Sequence, residues 1–118
     1  MNNGNDGINL DAEPSGTGCL ECLAAGTWWF HLRRCAECGH IGCCDDSLHK
    51  HASKHAHASG HPVIQSFEPQ EVWFWSYPDN RLYERGPELA APHHHPLEQT
   101  TPGPEDRVPA DWQAHLHF

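Results

Sequence analysis

Apolar and polar positions change rhythm several times along the chain. The first 18 residues, MNNGNDGINLDAEPSGTG, are polar and rich in Gly, Asn and Asp. They show no apolar period and are expected to form a disordered leader. Residues 27–33 bring Trp28, Trp29, Phe30 and Leu32 into an aromatic run that reads as a strand. After Cys43, Asp45, Asp46 or Ser47 offers an N-cap, three alanines favour helix and Gly60 stops it, which predicts a helix over residues 47–58. Residues 62–67 (PVIQSF) read as a strand, and so do residues 71–77 (EVWFWSY). In the latter, alternation puts Trp73 and Trp75 on one face and Phe74 on the other. Pro78-Asp79-Asn80 supplies a turn, and residues 81–84 close a hairpin. The expected fold class is α+β, with a small antiparallel sheet packed on one central helix over residues 19–85.

Residues 86–118 form a Pro- and His-rich tail. Five prolines between residues 86 and 106 make that stretch a linker or a loosely draped segment. Near residues 109–116, Pro109 can open a short helix that docks through Trp112 and Leu116, four apart.

Composition asks for a staple. Only 37% of the 118 residues are hydrophobic, and Pro and Gly together number 20, so the chain cannot bury a large core. The staple is visible between residues 19 and 61: Cys19-x2-Cys22, Cys35-x2-Cys38, Cys43, then His51-x3-His55-x5-His61. These eight side chains suffice for two closed tetrahedral zinc sites. Six cysteines could also form three disulfides, but no apolar signal segment opens the chain and histidines are interleaved with the cysteines. Zinc in a reducing, cytoplasmic setting is therefore expected. Spacing leaves two pairings open. Neighbouring pairs could combine as Cys19/Cys22/Cys35/Cys38, or the sets could cross.

The formal charge of −9 disfavours a nucleic-acid partner. Five thiolates and two zinc ions together alter it by only about one unit. No stretch approaches membrane-spanning length, so no membrane partner is expected.

Residues 19–77 resemble the ubiquitin-binding, UBP-type zinc finger of deubiquitinating enzymes and of a cytoplasmic histone deacetylase. The matching residues read CLEC, CAECGHIGC, HASKHAHASGHP and, downstream, Val72-Trp73. The resemblance implies the crossed arrangement: Cys19, Cys22, Cys43 and His51 on one Zn2+, and Cys35, Cys38, His55 and His61 on the other. It also implies a pocket for the C-terminal carboxylate of ubiquitin, built from an Arg-Tyr pair and an aromatic wall. Here Asp45 and Asp46 follow Cys44 where that pair belongs, and an Asp repels a carboxylate. Trp73 and Trp75 keep the wall, and Arg33 or Arg34 can substitute from another strand. Phe74 and Tyr77 stand where some members carry cysteines of a third zinc site, so no third site is expected.

The expected function is that of a zinc-stapled module binding a protein or peptide, with Trp73, Trp75, Asp45 and Asp46 at the partner site and the ubiquitin pocket degraded or retuned. A His-rich protein that handles zinc or nickel, with His93, His94, His95, His115 and His117 as a second His-rich zone, is the rival reading. A zinc hydrolase ranks below both, because eight ligands close both sites and Ala52 stands where a H-E-x-x-H motif needs Glu.

Overall fold

The computed structural model describes residues 7–45, 47 and 49–115, with only the backbone of His115. Its elements are α1 (Leu20–Ala25), β1 (Leu32–Cys35), β2 (Ile41–Cys43), α2 (His51–Ser59), β3 (Val63–Ser66), β4 (Phe74–Ser76) and β5 (Arg81–Tyr83). Two 3-10 turns follow, Glu105–Arg107 and Trp112–His115. The strands form one antiparallel sheet in the order β2-β1-β3-β4-β5, with α2 packed against β1 and β2. The expected α+β class, with a small antiparallel sheet on one main helix, is what the molecule adopts.

Several elements are shorter than the residue pattern suggested. The aromatic run does not pair as a strand until Leu32. Trp28, Trp29 and Phe30 instead turn into the core, where Trp28 and Phe30 meet edge to face at 4.9 Å. Helix α2 begins at His51 rather than near residue 47. Lys50 takes a left-handed φ of 51° and caps it without a side-chain bond. Ser47, an expected cap, spends its hydroxyl on the Phe30 N–H at 2.9 Å. The Cys19–Cys22 turn is itself helical, and Cys19 caps α1 by accepting from the Cys22 N–H.

Register decides which side chains share a face, because directly paired residues point the same way. Cys35 pairs with Ile64, Ile64 with Trp75, and Trp75 with Leu82. Arg33 lies on this face too, two residues before Cys35. Helix α2 covers its β2 end. At Gly42 a Cβ would meet the Ala52 nitrogen at 2.7 Å, so only glycine lets the helix backbone sit this close.

The opposite face carries Leu32, Arg34 and Phe74, all buried. Leader and tail cover it. The Asn9 N–H donates to the Ala36 carbonyl and the Ser15 N–H to the Gly39 carbonyl, both at 2.8 Å. Gly39 has φ +82°, and any Cβ there would collide with the Glu13 carbonyl. Trp29 and Gly103 exchange backbone hydrogen bonds of 2.8 and 3.0 Å. Trp112 packs on Phe30 at 5.8 Å. Leu116, its expected companion, lies outside the described residues.

The tail does more than drape. Arg34 is wholly buried and donates to the carbonyls of Ala12, Ala90 and Pro92 at 2.8, 2.7 and 3.1 Å. His95 is buried with its Nε2 2.9 Å from Glu68 Oε1, while the other carboxylate oxygen accepts from the Leu32 N–H at 2.8 Å. Arg107 donates to the carbonyls of Cys22, Leu23 and Thr27, which close the end of α1.

Candidate metal centre

Two elements of different pitch, the β1–β2 hairpin and α2, separate the donors into two sets, with Cys19 and Cys22 added from α1 and His61 from the segment after α2. In the β1–β2 hairpin, Cys35 lies at the turn, its N–H donating to the His40 carbonyl, while Cys43 pairs with Leu32 at the far end. Three residues of strand separate the two positions by about 10 Å. Helix α2 steps about 6 Å along its axis between His51 and His55. The helix lies across the hairpin, so His51 meets the far end and His55 the turn.

Two sets of donors result: Cys19, Cys22, Cys43 and His51, and Cys35, Cys38, His55 and His61, the donor atoms of each set lying within 4.8 Å of one another. In the first set, His51 Nδ1 lies 3.2, 3.3 and 3.5 Å from the sulfurs of Cys19, Cys22 and Cys43, and the Cys22 and Cys43 sulfurs are 3.8 Å apart. In the second, Cys35 Sγ is 3.4 Å from His61 Nδ1 and Cys38 Sγ is 3.3 Å from His55 Nε2. A tetrahedral zinc with bonds of about 2.3 Å to sulfur and about 2.0–2.1 Å to nitrogen spaces its ligand atoms by about 3.5–3.8 Å. The spacings fit such an ion, and the cysteines are free thiols.

Electrostatics agrees with a thiolate cluster. Hydrogen bonds from Cys19 and Cys22 hold the Cys43 thiol far below its ordinary pKa, helped by the His51 N–H at 3.2 Å. The Cys22 thiol is driven up by its bonds with Cys19 and Cys43 and by burial. Burial raises Cys35 to about 11, against the pull of the Cys38 and Glu37 backbone N–H groups. Three close sulfurs cannot all ionise without a cation between them. Burial, with the neighbouring His40 and His61, lowers His55, which keeps its ring neutral and its lone pair available.

The surroundings of the two sets differ. Cys19, Cys22 and Cys43 are fully buried against Trp29, Leu32, Ile41 and Phe67. In the second set Cys38 is exposed, and its histidines are held by outer partners. His61 Nε2 lies 3.5 Å from Glu37. His40 stacks on His55 at 4.0 Å with planes 9° apart, and its own Nε2 is 2.8 Å from Glu21. Such carboxylate and ring contacts fix a ligand's tautomer and orientation. Glu37→Gln is expected to weaken zinc at this set by about 10- to 100-fold. Competition with a chromogenic chelator measures it, and an unchanged affinity would remove Glu37 from the site. His40 reads from sequence as an ordinary surface or packing histidine; only the stack on His55 gives it this position.

A cleft of about 230 Å³ opens on the same face, beside β4, lined by Arg33, Asp45, Trp73, Trp75, Tyr77 and Leu82. The Arg33 guanidinium lies 4.7 Å over the Trp73 ring. Of the residues expected at a partner site, Trp73, Trp75 and Asp45 meet here, whereas Asp46 lies outside the described residues. Of the two candidate arginines, Arg33 faces the cleft and Arg34 points into the core. Tyr77 and Leu82 were not foreseen. The 73/75/77 alternation carried the signal for Tyr77, but Leu82 depends on its pairing with Trp75. Cys44 also lines the cleft, almost fully buried, its sulfur 3.4 Å from Ser47 Oγ.

Comparison with known proteins places this geometry. Residues 19–87 match the model of the Zn-finger in ubiquitin-hydrolases and other protein. A Rhodopseudomonas palustris protein solved by solution NMR is similar to the chain at 48% identity and a TM-score of 0.65, over 74% of this chain and 84% of that one. No curated protein matches. With two clusters of Cys3His and Cys2His2 composition for two zinc ions, the chain belongs to the family of zinc fingers found in ubiquitin-hydrolases and other proteins.

Proposed function

We propose that this protein is a stapled binding module. In this reading Cys19, Cys22, Cys43 and His51 hold one structural zinc and Cys35, Cys38, His55 and His61 the other. A protein or peptide partner docks by a chain terminus in the cleft between Trp73, Trp75 and Asp45. The observation that carries the reading is the cleft itself: aromatic faces and two charged side chains meet on the sheet face that the zinc-held hairpin and helix anchor. Such a concavity, mostly apolar with a few placed polar groups, is the ordinary form of a recognition site.

Four ligands around each ion leave no open position for a reacting water, which favours binding over catalysis. Among the described residues no helix is long and apolar enough to cross a membrane. Thiol ligands need a reducing setting, which supports a cytoplasmic location. The rival reading, metal handling by the histidine run, is weakened by His95, which is buried against Glu68, and by His93, whose Nε2 lies 3.0 Å from the Leu89 carbonyl. A larger cavity of about 390 Å³ lies where residues 85–89 pass Val72. Its acidic side chains are already engaged, Glu71 by Ser66 and Glu88 by His93, so it is the weaker site.

Asp45 lines the cleft, and its carboxylate repels a ubiquitin carboxylate that enters there. The ubiquitin-tail pocket is thus retuned. Titrating a ubiquitin C-terminal peptide and following tryptophan fluorescence is expected to give no micromolar binding. Micromolar affinity would restore ubiquitin as the partner.

A further inference from the structure

We infer that the cleft selects a chain terminus ending in a basic residue, with the α-carboxylate on Arg33, the side-chain cation at Asp45 and the aliphatic stem against Trp75 and Leu82. The inference rests on the reading of the cleft as the binding site and adds the chemistry of its occupant.

Arg33 and Asp45 line one cavity, yet among the described residues no ion pair within 4.0 Å joins them. Their charges are not spent on each other. The guanidinium is held flat over Trp73, and one of its N–H groups donates to the Leu32 carbonyl at 3.1 Å. A guanidinium has five donors, so others remain for a ligand. Asp45 is exposed and accepts freely from water or from a cation. Both charges are felt at Tyr77, which lines the same cleft. Burial raises the pKa of the Tyr77 hydroxyl, Asp45 raises it further and Arg33 opposes.

The cavity therefore presents a dipole instead of a net charge. A ligand with only a carboxylate is drawn by Arg33 and repelled by Asp45, and a ligand with only a cation meets the reverse. One charge of each sign satisfies both, and a charge-assisted bond at each end sets the orientation. Size limits the rest. At about 230 Å³ the cleft falls below the roughly 300–1,000 Å³ of drug-sized sites, so it admits one or two residues of a chain. A lysine or arginine stem lies well on exposed aromatic and aliphatic faces. The formal charge of −9 also draws a basic partner from a distance.

Isothermal titration of the full zinc-loaded chain tests this with three probes: Gly-Gly-Gly-Lys with a free carboxylate, the same peptide as its C-terminal amide, and tetraglycine. The lysine-ended acid is expected to bind at least tenfold more tightly than either of the others. Asp45→Asn should abolish the preference for lysine over glycine, and Arg33→Gln the preference for acid over amide. Zinc content and circular dichroism should stay unchanged in both. Equal binding of tetraglycine and the lysine-ended acid, or of acid and amide, would overturn the inference and leave the cleft as a peptide site. So would preferences that survive both substitutions. Failure of every probe to bind would overturn the cleft reading together with the inference.

Discussion

Stripping zinc with a strong chelator is expected to unfold residues 19–87, in two steps, with the Cys35/Cys38/His55/His61 set emptying first. The ligands come from α1, β1, β2, α2 and the segment after it, so each set ties together parts of the chain distant in sequence. A structural zinc contributes on the order of 10–16 kcal/mol of apparent binding free energy, which in a chain without a preformed site is folding free energy. A whole domain of this kind is stable by only about 5–15 kcal/mol. Apolar burial cannot compensate, because among the described residues the core divides into three small clusters and one of them includes the donors Cys19, Cys22 and Cys43. The order follows from access: Cys38 is exposed, whereas the cysteines of the other set are buried. Zinc release followed by a chromogenic dye, with far-ultraviolet circular dichroism in parallel, should show a fast and a slow phase, the slow one carrying the loss of structure. A spectrum and melting curve unmoved by complete zinc removal would overturn the assignment of both sets.

Arg34→Ala is expected to destabilise the zinc-loaded protein by about 3–5 kcal/mol and to release the tail. The guanidinium is the junction of three segments, bonding the leader at Ala12 and the tail at Ala90 and Pro92. Truncation leaves three part-buried carbonyls without their donor and a cavity on the sheet face beside Leu32. Burial lowers the pKa of this arginine, but three carbonyls at hydrogen-bond distance hold the cation where, among the described residues, no carboxylate pairs with it. Arg33→Ala, one position away, should cost about 1 kcal/mol or less, because that side chain lies on the cleft face and its loss strands no buried group. Urea titration measures the pair of variants, and limited proteolysis within residues 86–107 reports the tail. Equal stability of the two variants would show that the tail contacts contribute little.

The contrast between Arg33 and Arg34 marks the limit of what residue order can say. Either arginine can be read as a substitute for the absent pocket cation. The two point to opposite faces because neighbours in a strand always do. Which face is the cleft depends on the pairing of Arg33 with Gly42 across the hairpin and with Ser66 in β3, the latter a register settled between strands far apart in sequence. The pairing of metal donors has the same origin. Spacing counts eight ligands, but only a hairpin step of about 10 Å crossed by a helical step of about 6 Å separates Cys43 and His51 from Cys38 and His55.

The sequence by itself determined the family, the α+β class, the need for two zinc ions, and the aromatic alternation at residues 73–77. Each is a local property: the reach of a Cys-x2-Cys turn, the period of a strand, the stop at a glycine. The tertiary structure alone decided the fate of the tail and the shape of the cleft. Residues 86–107 have no apolar period, and their order comes from single polar groups, Arg34, Glu68 with His95, and Arg107 with the end of α1, each matched to a partner distant in sequence. A hydrogen bond between residues 27 or more positions apart leaves no mark on either local sequence, because its free energy arises only when the fold has removed both groups from water.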